Sequence, residues 1–436
     1  MQEDDAKAVE FFLASISGEY AAQDDAFNVP YVLDKAETYF RLQALNGLKE
    51  EMSRCLASGR LEDAESLIAN YMRPSRPTVK GCDPLRDWPQ IMAAFDSSRK
   101  EDLTFKLPGD IGSIVGYFER GHLVGIVGAT STGKTWWLWF LAYVAVLRGL
   151  NVVFFSLEMS ERQMIRRIQQ SLHALPIKEY PDPLLIPVFD CAHNQTGECR
   201  NADRVNRIRI RQGDQPKPPF AMAPVNYRPC DVCRGTRDYR MEIWWKREDR
   251  EVITLSDVMS AMVKSPAGPA GRMGRFHLVE YPSGALTPRG LRTYLSNLEY
   301  YEGLVADVVV TDYADKMTPD GRYDGYRHGL EEIWQAHKGI AQERKVTVIT
   351  ASQSNTVRTG KRISQGNWDE AIAKLYMVDE GLALNQTPEE KKAGIMLWSV
   401  VKQRHDHFDM MEHATVLQQL KIGRPYLDSC RGQMGK

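Results

Sequence analysis

The chain has 436 residues, 43% of them hydrophobic and 26% charged, the composition of an ordinary globular protein long enough for two or three domains. Its 57 acidic and 56 basic side chains leave a net charge of −1, so global charge argues for no nucleic-acid partner, and such a partner requires a local basic surface. Seven cysteines, an odd number gathered mostly in one region, argue for a reducing compartment and for metal rather than a disulfide framework.

The start, Met1-Gln-Glu-Asp-Asp5, is acidic and lacks the basic opening of a signal peptide. The longest apolar run, Trp136 to Leu147, is too short to span a bilayer. Both point to a cytoplasmic protein with no membrane partner. Residues 5–20 read as a weakly amphipathic helix, and a turn-like Asn28-Val-Pro30 follows. From Asp34 the pattern sharpens: Tyr39, Leu42, Leu45, Leu48, Met52 and Leu56 repeat at helical spacing until Ser58-Gly59. Leu61, Ala64, Leu67, Ile68 and Tyr71 mark a second helix that ends before Pro74. Pro74 to Cys82 reads as a linker. Residues 1–80 are therefore expected to form an N-terminal helical region and 83–436 the main domain.

Within the main domain, Leu123 to Val127 reads as a buried strand and Trp136 to Leu147 as a helix. Between them lies Gly128-Ala129-Thr130-Ser131-Thr132-Gly133-Lys134-Thr135, which reads G-x-x-x-x-G-K-T. In that strand–loop–helix context it is a phosphate-binding loop, whose glycines let backbone N–H groups close on an anion. Lys134 is expected at the β- and γ-phosphates of ATP and the Thr135 hydroxyl on Mg²⁺.

The next strand, Asn151 to Met159, delivers Glu158 to the edge where parallel sheets bind ligands. Ser160 and Gln163 form a capping box, and Met164, Ile165, Ile168 and Leu172 give the following helix one apolar face. Residues 181–275 break the strand–helix rhythm with clustered prolines and arginines. Arg200, Arg204, Arg207, Arg209, Arg211, Arg228, Arg234, Arg237 and Arg240 serve equally as a solvated face or a phosphate-binding one. Cys191 and Cys199 precede a C-x-x-C formed by Cys230 and Cys233. Two cysteine pairs on separate loops are the pattern of a tetrahedral zinc site, with His193 as a substitute ligand. The region is expected to be an inserted zinc module.

The rhythm resumes at Phe276 to Glu280, with Thr287-Pro288 opening a helix. Asp307 to Asp312 is a second apolar strand ending in an acid, and Asp312 is expected in the Mg²⁺ shell. A helix over 325–344 leads to the strand Val346 to Ala351. Gln353, just past it, reads either as a γ-phosphate sensor or as an ordinary loop glutamine. Ser354 to Asn367 is polar and glycine-containing, with Arg358, Lys361 and Arg362, and reads as a mobile loop. Thr387-Pro388 caps a short helix, Ile395 to Val401 is a strand running into Lys402-Gln-Arg404, and Thr415 to Lys421 closes the sheet. The fold class is thus α/β, a twisted and mainly parallel sheet flanked by helices.

These residues resemble the ATPase domain of DnaB-type hexameric replicative DNA helicases, within the RecA-like superfamily, over roughly 105–180 and 276–428. The resemblance rests on G-x-x-x-x-G-K-T, Ser156-Leu-Glu-Met159, Asp312-Tyr313, Ser352-Gln353 and Lys402-x-Arg404. It implies a ring-shaped oligomer, a hexamer, that translocates on single-stranded DNA and unwinds the replication fork. It implies that Glu158 polarises the attacking water and that Lys402 and Arg404 reach a neighbouring subunit's ATP. In such a ring the 354–367 loop faces the DNA, and the helices at 34–72 resemble the linker helices that precede this domain. The cysteine-bearing insertion departs from the bacterial pattern and is more like phage-encoded relatives. The N-terminal domain that meets primase looks reduced, which leaves primase and loader partners open. Other readings are a RecA-like strand-exchange ATPase that forms filaments, a loading or signalling ATPase that does not unwind, and a zinc-dependent nucleic-acid adaptor with a regulatory ATP site.

Overall fold

The computed structural model describes residues 29–70, 88, 92, 102–201, 227–264, 273–323, 325–354, 363, 372–404, 408–409 and 412–432. The expected helix at 5–20 and the linker at 74–82 lie outside them. Contacts divide the chain into two units, Met1–Asp96 and Ser97–Lys436. The first contains α1 (Val29–Ala57) and α2 (Leu61–Asn70), packed on one another. α1 begins at Val29 where a turn is expected. Pro30 falls in its first turn, where a missing N–H costs nothing. Gly59, with φ of 70°, reverses the chain, and Cys55 and Ala64 are buried where the two helices meet.

The second unit begins with β1 (Leu103–Lys106), α3 (Gly109–Val115), β2 (Tyr117–Glu119), β3 (Leu123–Gly128) and α4 (Lys134–Leu147). It continues with β4 (Val152–Ser156), α5 (Glu161–His173), β5 (Leu184–Cys191), α6 (Ala192–Thr196), β6 (Met241–Glu248) and α7 (Leu255–Lys264). Then come β7 (Phe276–Glu280), α8 (Pro288–Glu302), β8 (Val308–Asp312), α9 (Tyr326–Arg344) and β9 (Thr347–Gln353). The chain closes with α10 (Ile372–Met377), β10 (Glu380–Asn385), α11 (Pro388–Ala393), β11 (Ile395–Gln403), β12 (His413–Gln419) and β13 (Arg424–Arg431).

One nine-stranded sheet runs β13-β12-β11-β10-β3-β9-β8-β4-β7. From β10 to β7 every neighbouring pair is parallel, and β11, β12 and β13 continue it antiparallel. Alternation along the strands builds two cores. Val124, Ile126, Phe154, Val310 and Ile349 face one side, against Trp137, Leu138 and Leu141 of α4. Leu123, Val153, Phe155, Val309 and Val348 face the other, against Leu291, Leu295 and Leu298 of α8 and Ile333, Trp334 and Ile340 of α9. Each such side chain contributes about 1.5–3 kcal/mol on burial. Trp137 also meets Trp398 of β11 edge-on, ring centroids 4.5 Å apart.

The expected caps form: Ser160 and Gln163 make the capping box of α5, and the Thr287 and Thr387 hydroxyls accept N–H bonds from Gly290 and Glu390. The expected apolar face of α5 is only partly buried. Met164 is buried, but Ile165 and Leu172 are exposed, and the helix buries Gln170 and Ser171 instead. Gln170 donates to the Lys421 carbonyl, so a hydrogen bond, not a hydrophobic stripe, seats this face. The strand at 415–421 does not close the sheet either, because β13 lies beyond it.

The 181–275 region contributes β5 paired antiparallel with β6 in a separate two-stranded sheet. Phe189, Ile243 and Trp245 pack on Ala393, Ile395, Leu417 and Cys430 of the main unit. The zinc module expected here finds no support in the structure. Among the described residues no group of three or more His, Cys, Asp or Glu is placed to hold a metal ion. A carboxylate does the gathering that zinc was expected to do. Asp190 is fully buried, and its Oδ1 accepts from the amides of Cys191 (2.8 Å) and Cys230 (2.9 Å) and from Asn194 Nδ2 (2.8 Å). Its Oδ2 accepts from Gln195 Nε2 (3.0 Å) and the Tyr227 hydroxyl (2.5 Å). Burial and the Asp190 charge raise the Tyr227 phenol far above its usual range, so it stays a donor. Cys191 and Cys230 are thereby buried, and Cys191 also lines an open cleft with Cys199, Cys233, His193 and Asn201, whose Nδ2 lies 3.2 Å from the Cys233 sulfur.

Replacing Asp190 by Ala removes the acceptor for five donors, and unsatisfied buried donors cost about 1–3 kcal/mol each. Asp190→Ala is expected to open the insertion locally, seen as faster proteolysis between 184 and 248, while the melting of the main sheet changes little. Unchanged proteolysis would show that the hub does not hold the insertion.

Candidate active site

The C-terminal ends of the parallel strands lie on one edge of the sheet, and all but β3, which ends in glycine, carry a polar residue there. β3 ends at Gly128, beside Gln353 of β9. β4 ends at Ser156, opposite Asp312 of β8. The phosphate loop leaves β3 and enters α4. Gly133 has φ of 89°, in the left-handed region, and a Cβ on Gly128 would sit 2.7 Å from Thr132 Oγ1. Both positions therefore require glycine. The Thr132 hydroxyl closes the loop on the Ala129 carbonyl at 2.8 Å. No side chain caps α4, so its first N–H groups and its positive dipole end stay available to an anion.

Lys134 folds over this cradle, its ammonium bonded to the carbonyls of Gly128 (2.9 Å) and Ala129 (2.8 Å). Burial lowers its pKa, opposed by the charges of Glu158 and Asp312. Thr135 Oγ1 lies 3.3 Å from Asp312 Oδ1. Asp312 is wholly buried and its Oδ2 has no partner. Burial pushes its pKa up to about 7, with the Thr135 hydrogen bond opposing. A buried carboxylate oxygen with no partner, beside a hydroxyl and an open anion cradle, fits a hard cation carried by a phosphate. Thr135 and Asp312 would hold Mg²⁺ there, and the cation would supply positive charge against the phosphates.

Glu158 sits two residues past the end of β4, exposed, where its charge acts on both Lys134 and Asp312. Gln353 Nε2 bonds the Thr130 hydroxyl of the phosphate loop, and the Ser354 amide donates to the Gly128 carbonyl at 3.1 Å. Gly128 to Thr135, Glu158, Asp312 and Gln353 thus come together on one edge.

Lys402 and Arg404 do not join them. Lys402 pairs with Gly381 and Gln403 with Glu380, which lie in register with Gly125 and Val124. Arg404, one residue further, stands at the opposite edge, about 13 Å or more along the strands from the phosphate loop. There the fully buried Asp379 binds Arg404 Nη1 (3.0 Å), Lys338 Nζ (2.6 Å) and the Leu123 amide (2.8 Å). Arg404 Nη2 and Lys402 Nζ both reach the Tyr376 carbonyl, at 3.1 and 3.2 Å. The Arg404 side chain remains 42% exposed, and burial followed by the Arg404 charge lowers the Lys402 pKa. Arg358, Lys361 and Arg362 lie outside the described residues.

Two cations near the cradle went unread in the sequence. Arg167 of α5 lies 5.1 Å from the Trp136 ring centroid, and its charge acts on Asp312 and Glu158. Its signal was the turn it occupies, two turns past the Ser160 cap. Lys391 of α11 bonds the Ser131 carbonyl at 2.8 Å, and nothing local in its sequence marks it.

No protein-family model matches the chain, and no curated protein does. Solved structures match by shape. One is described as an ATPase domain, with a TM-score of 0.52 and 12% identity over 80% of this chain and 99% of that one. Another is a DnaB-like replicative helicase described with its interactions with primase, with a TM-score of 0.50 and 12% identity over 94% of this chain and 82% of that one. At that identity the likeness carries the fold, and the fold is that of DnaB-type helicase ATPase domains.

Proposed function

We propose that the chain is an ATP hydrolase that drives a ring-shaped oligomer, a hexamer, along single-stranded DNA as a replicative helicase. The observation that carries this reading is the separation of Lys402 and Arg404 from the chain's own phosphate loop. One edge of the sheet holds every part needed to bind a nucleotide. The opposite edge presents a partly exposed guanidinium, held in place by the buried Asp379. A cation so placed serves a phosphate only if a second copy brings its loop alongside. Repetition of that contact closes a ring or winds a filament. The fold shared with DnaB-like replicative helicases favours the ring.

In this reading the α4 N-terminus and Lys134 take the β- and γ-phosphates. Glu158 accepts a proton from the attacking water and orients it. Gln353 reads the γ-phosphate through its contact at Thr130. Arg404, with Lys402, stabilises charge on the transferring phosphoryl across the interface. Among the described residues no helix is long and apolar enough to cross a membrane. Arg358, Lys361 and Arg362 follow Gln353 in sequence and supply charge for a phosphate backbone, without aromatic residues for base stacking.

Fork unwinding that requires ATP is the primary test, and negative-stain images with ATP and DNA separate rings from filaments. Glu158→Gln is expected to bind ATP normally and lose turnover, because an amide accepts no proton from water. Near-normal turnover in that variant removes Glu158 from the reaction.

Arg404→Ala is expected to lose roughly 10³–10⁵ in rate, as arginine fingers do, with nucleotide affinity kept within about tenfold. Mixing it with Lys134→Ala subunits is expected to restore part of the activity, since some interfaces then join an intact loop to an intact finger. Absence of recovery at every mixing ratio excludes a finger acting between copies.

Removing the charges of Arg358, Lys361 and Arg362 together is expected to weaken single-strand binding. The salt slope should flatten by about 0.7 for each phosphate that is no longer neutralised. Titrations at several salt concentrations measure it. An unchanged slope, with loss of slope on deleting the 181–275 insertion, assigns the strand to the insertion instead.

A further inference from the structure

Lys374 is a buried lysine that the reaction scheme does not use. Its side chain is 8% exposed and pairs with Asp315, 11% exposed, at 2.8 Å. Lysine is rarely buried at all, and then only with a partner. The pair is part of a closed ring of polar contacts. Lys374 Nζ also donates to Ser352 Oγ at 3.0 Å, and Ser352 Oγ donates to Asp315 Oδ2 at 2.9 Å. Trp334 supports it from below, its Nε1 donating to Asp315 Oδ1 at 2.9 Å and its ring centroid 5.5 Å from Lys374 Nζ.

The three members of the ring come from three different places. Asp315 lies in the short turn Ala314–Lys316 that directly follows β8 and its terminal Asp312. Ser352 lies at the tip of β9, next to Gln353. Lys374 lies in the first turn of α10. The chain between the last two, residues 354–371, leaves β9 two residues after Ser352 and returns two residues before Lys374. β9 and α10 are therefore joined at one point, which is also joined to the turn that follows Asp312. A buried ion pair adds little net stability over a well-packed apolar pair, whereas it strongly specifies which groups stand together.

We propose that Lys374 is a positioning residue. Its ion pair with Asp315, bridged by Ser352, makes the phosphate sensor Gln353 and α10, the elements on either side of residues 354–371, move as one body. This rests on the reading of the phosphate loop as an ATP site with Gln353 as its sensor. A change at the γ-phosphate that shifts Gln353 then displaces Ser352, and the ring carries the shift to α10 without passing through the intervening residues.

Hydrogen–deuterium exchange on the full chain tests this, with Mg²⁺ and either ADP or a non-hydrolysable ATP analogue. In the wild type the analogue is expected to slow exchange by about threefold or more, relative to ADP, both in 128–135 and in 354–371. The double variant Lys374→Met, Asp315→Asn removes both charges together. Met keeps a stem over Trp334, and Asn keeps a carbonyl that accepts from Trp334 while its amide donates to the Ser352 hydroxyl, so no lone charge is left buried. In that variant the effect of the analogue is expected to persist in 128–135 and vanish in 354–371, with melting close to the wild type. A purely structural pair would change melting and leave the nucleotide-dependent difference intact, and that result overturns the proposal. If the double variant does not fold, Ser352→Ala breaks the same ring without touching the charges and is expected to lose the same difference. Its retention overturns the proposal equally. Absence of any effect in 128–135 of the wild type overturns the ATP-site reading itself. An effect confined to 128–135 in the wild type overturns only the coupling.

Discussion

The register of the parallel strands is the constraint on which the rest depends. With β10, β3, β9, β8, β4 and β7 all pointing one way, their last residues fall at the same edge: Gly128 pairs with Gln353, and Ser156 with Asp312 and Glu280, while β9 runs past the end of β8. Gly128, Gln353, Asp312 and Ser156 line one edge in a staggered row for that reason. A strand slip of one residue would turn Asp312 from its place beside Thr135 and exchange Val309 with Val310 between the two cores. The hydrophobic alternation that forbids the slip is therefore also what positions the chemistry. The same register excludes Arg404 from that row, because β11 runs antiparallel to β10 and reaches the far edge as it ends.

Much of this was legible in the sequence, and for a physical reason. The strands that carry the site are short runs of Val, Ile and Phe buried on both faces, and each ends in a residue whose type is unusual for a core. Glycine at 128, aspartate at 312 and glutamine at 353 stand out against their own strands. The helix starts at Ser160, Thr287 and Thr387 were equally readable, since a capping hydroxyl acts within its own turn. β10 was not legible. It is central and buried along its whole length, yet it opens with Glu380 and Gly381 and closes with Asn385. Glu380 is tolerated because its carboxyl meets His122 Nδ1 at 3.3 Å, and because burial raises its pKa to about 7, easing the cost of charge. That partner is 258 positions away, beyond any local pattern.

The insertion failed to be legible in a different way. Its cysteines suggested a metal because pairs of thiols at such spacing are what zinc sites need. Spacing constrains which groups can meet, not which group gathers them. In the structure Asp190, next to Cys191, binds the amides of both cysteine-bearing segments, and Phe189, Ile243 and Trp245 bury the rest against the main sheet. An aspartate before a cysteine carries no recognisable signal alone. Its meaning comes from Tyr227, Asn194 and Gln195, which are polar residues that would read as loop in any pattern search.

Buried carboxylates recur at each of these junctions, and their environments set what each can do. Asp190 is saturated by five donors and is structural. Asp379 binds two cations and an amide, which fixes Arg404 where a neighbouring copy would meet it. Asp312 has one weak hydroxyl contact and one oxygen with no partner, and burial holds its pKa at about 7. Of the three, only Asp312 gains from a new cation. In a protein interior an incompletely satisfied carboxylate is destabilising unless a ligand completes it. The incompleteness of Asp312, at the end of the strand beside the phosphate cradle, thus leaves a place that a bound cation would complete. The completeness of Asp190 and Asp379 explains how a carboxylate helps to gather the insertion and why Arg404 stays where it is.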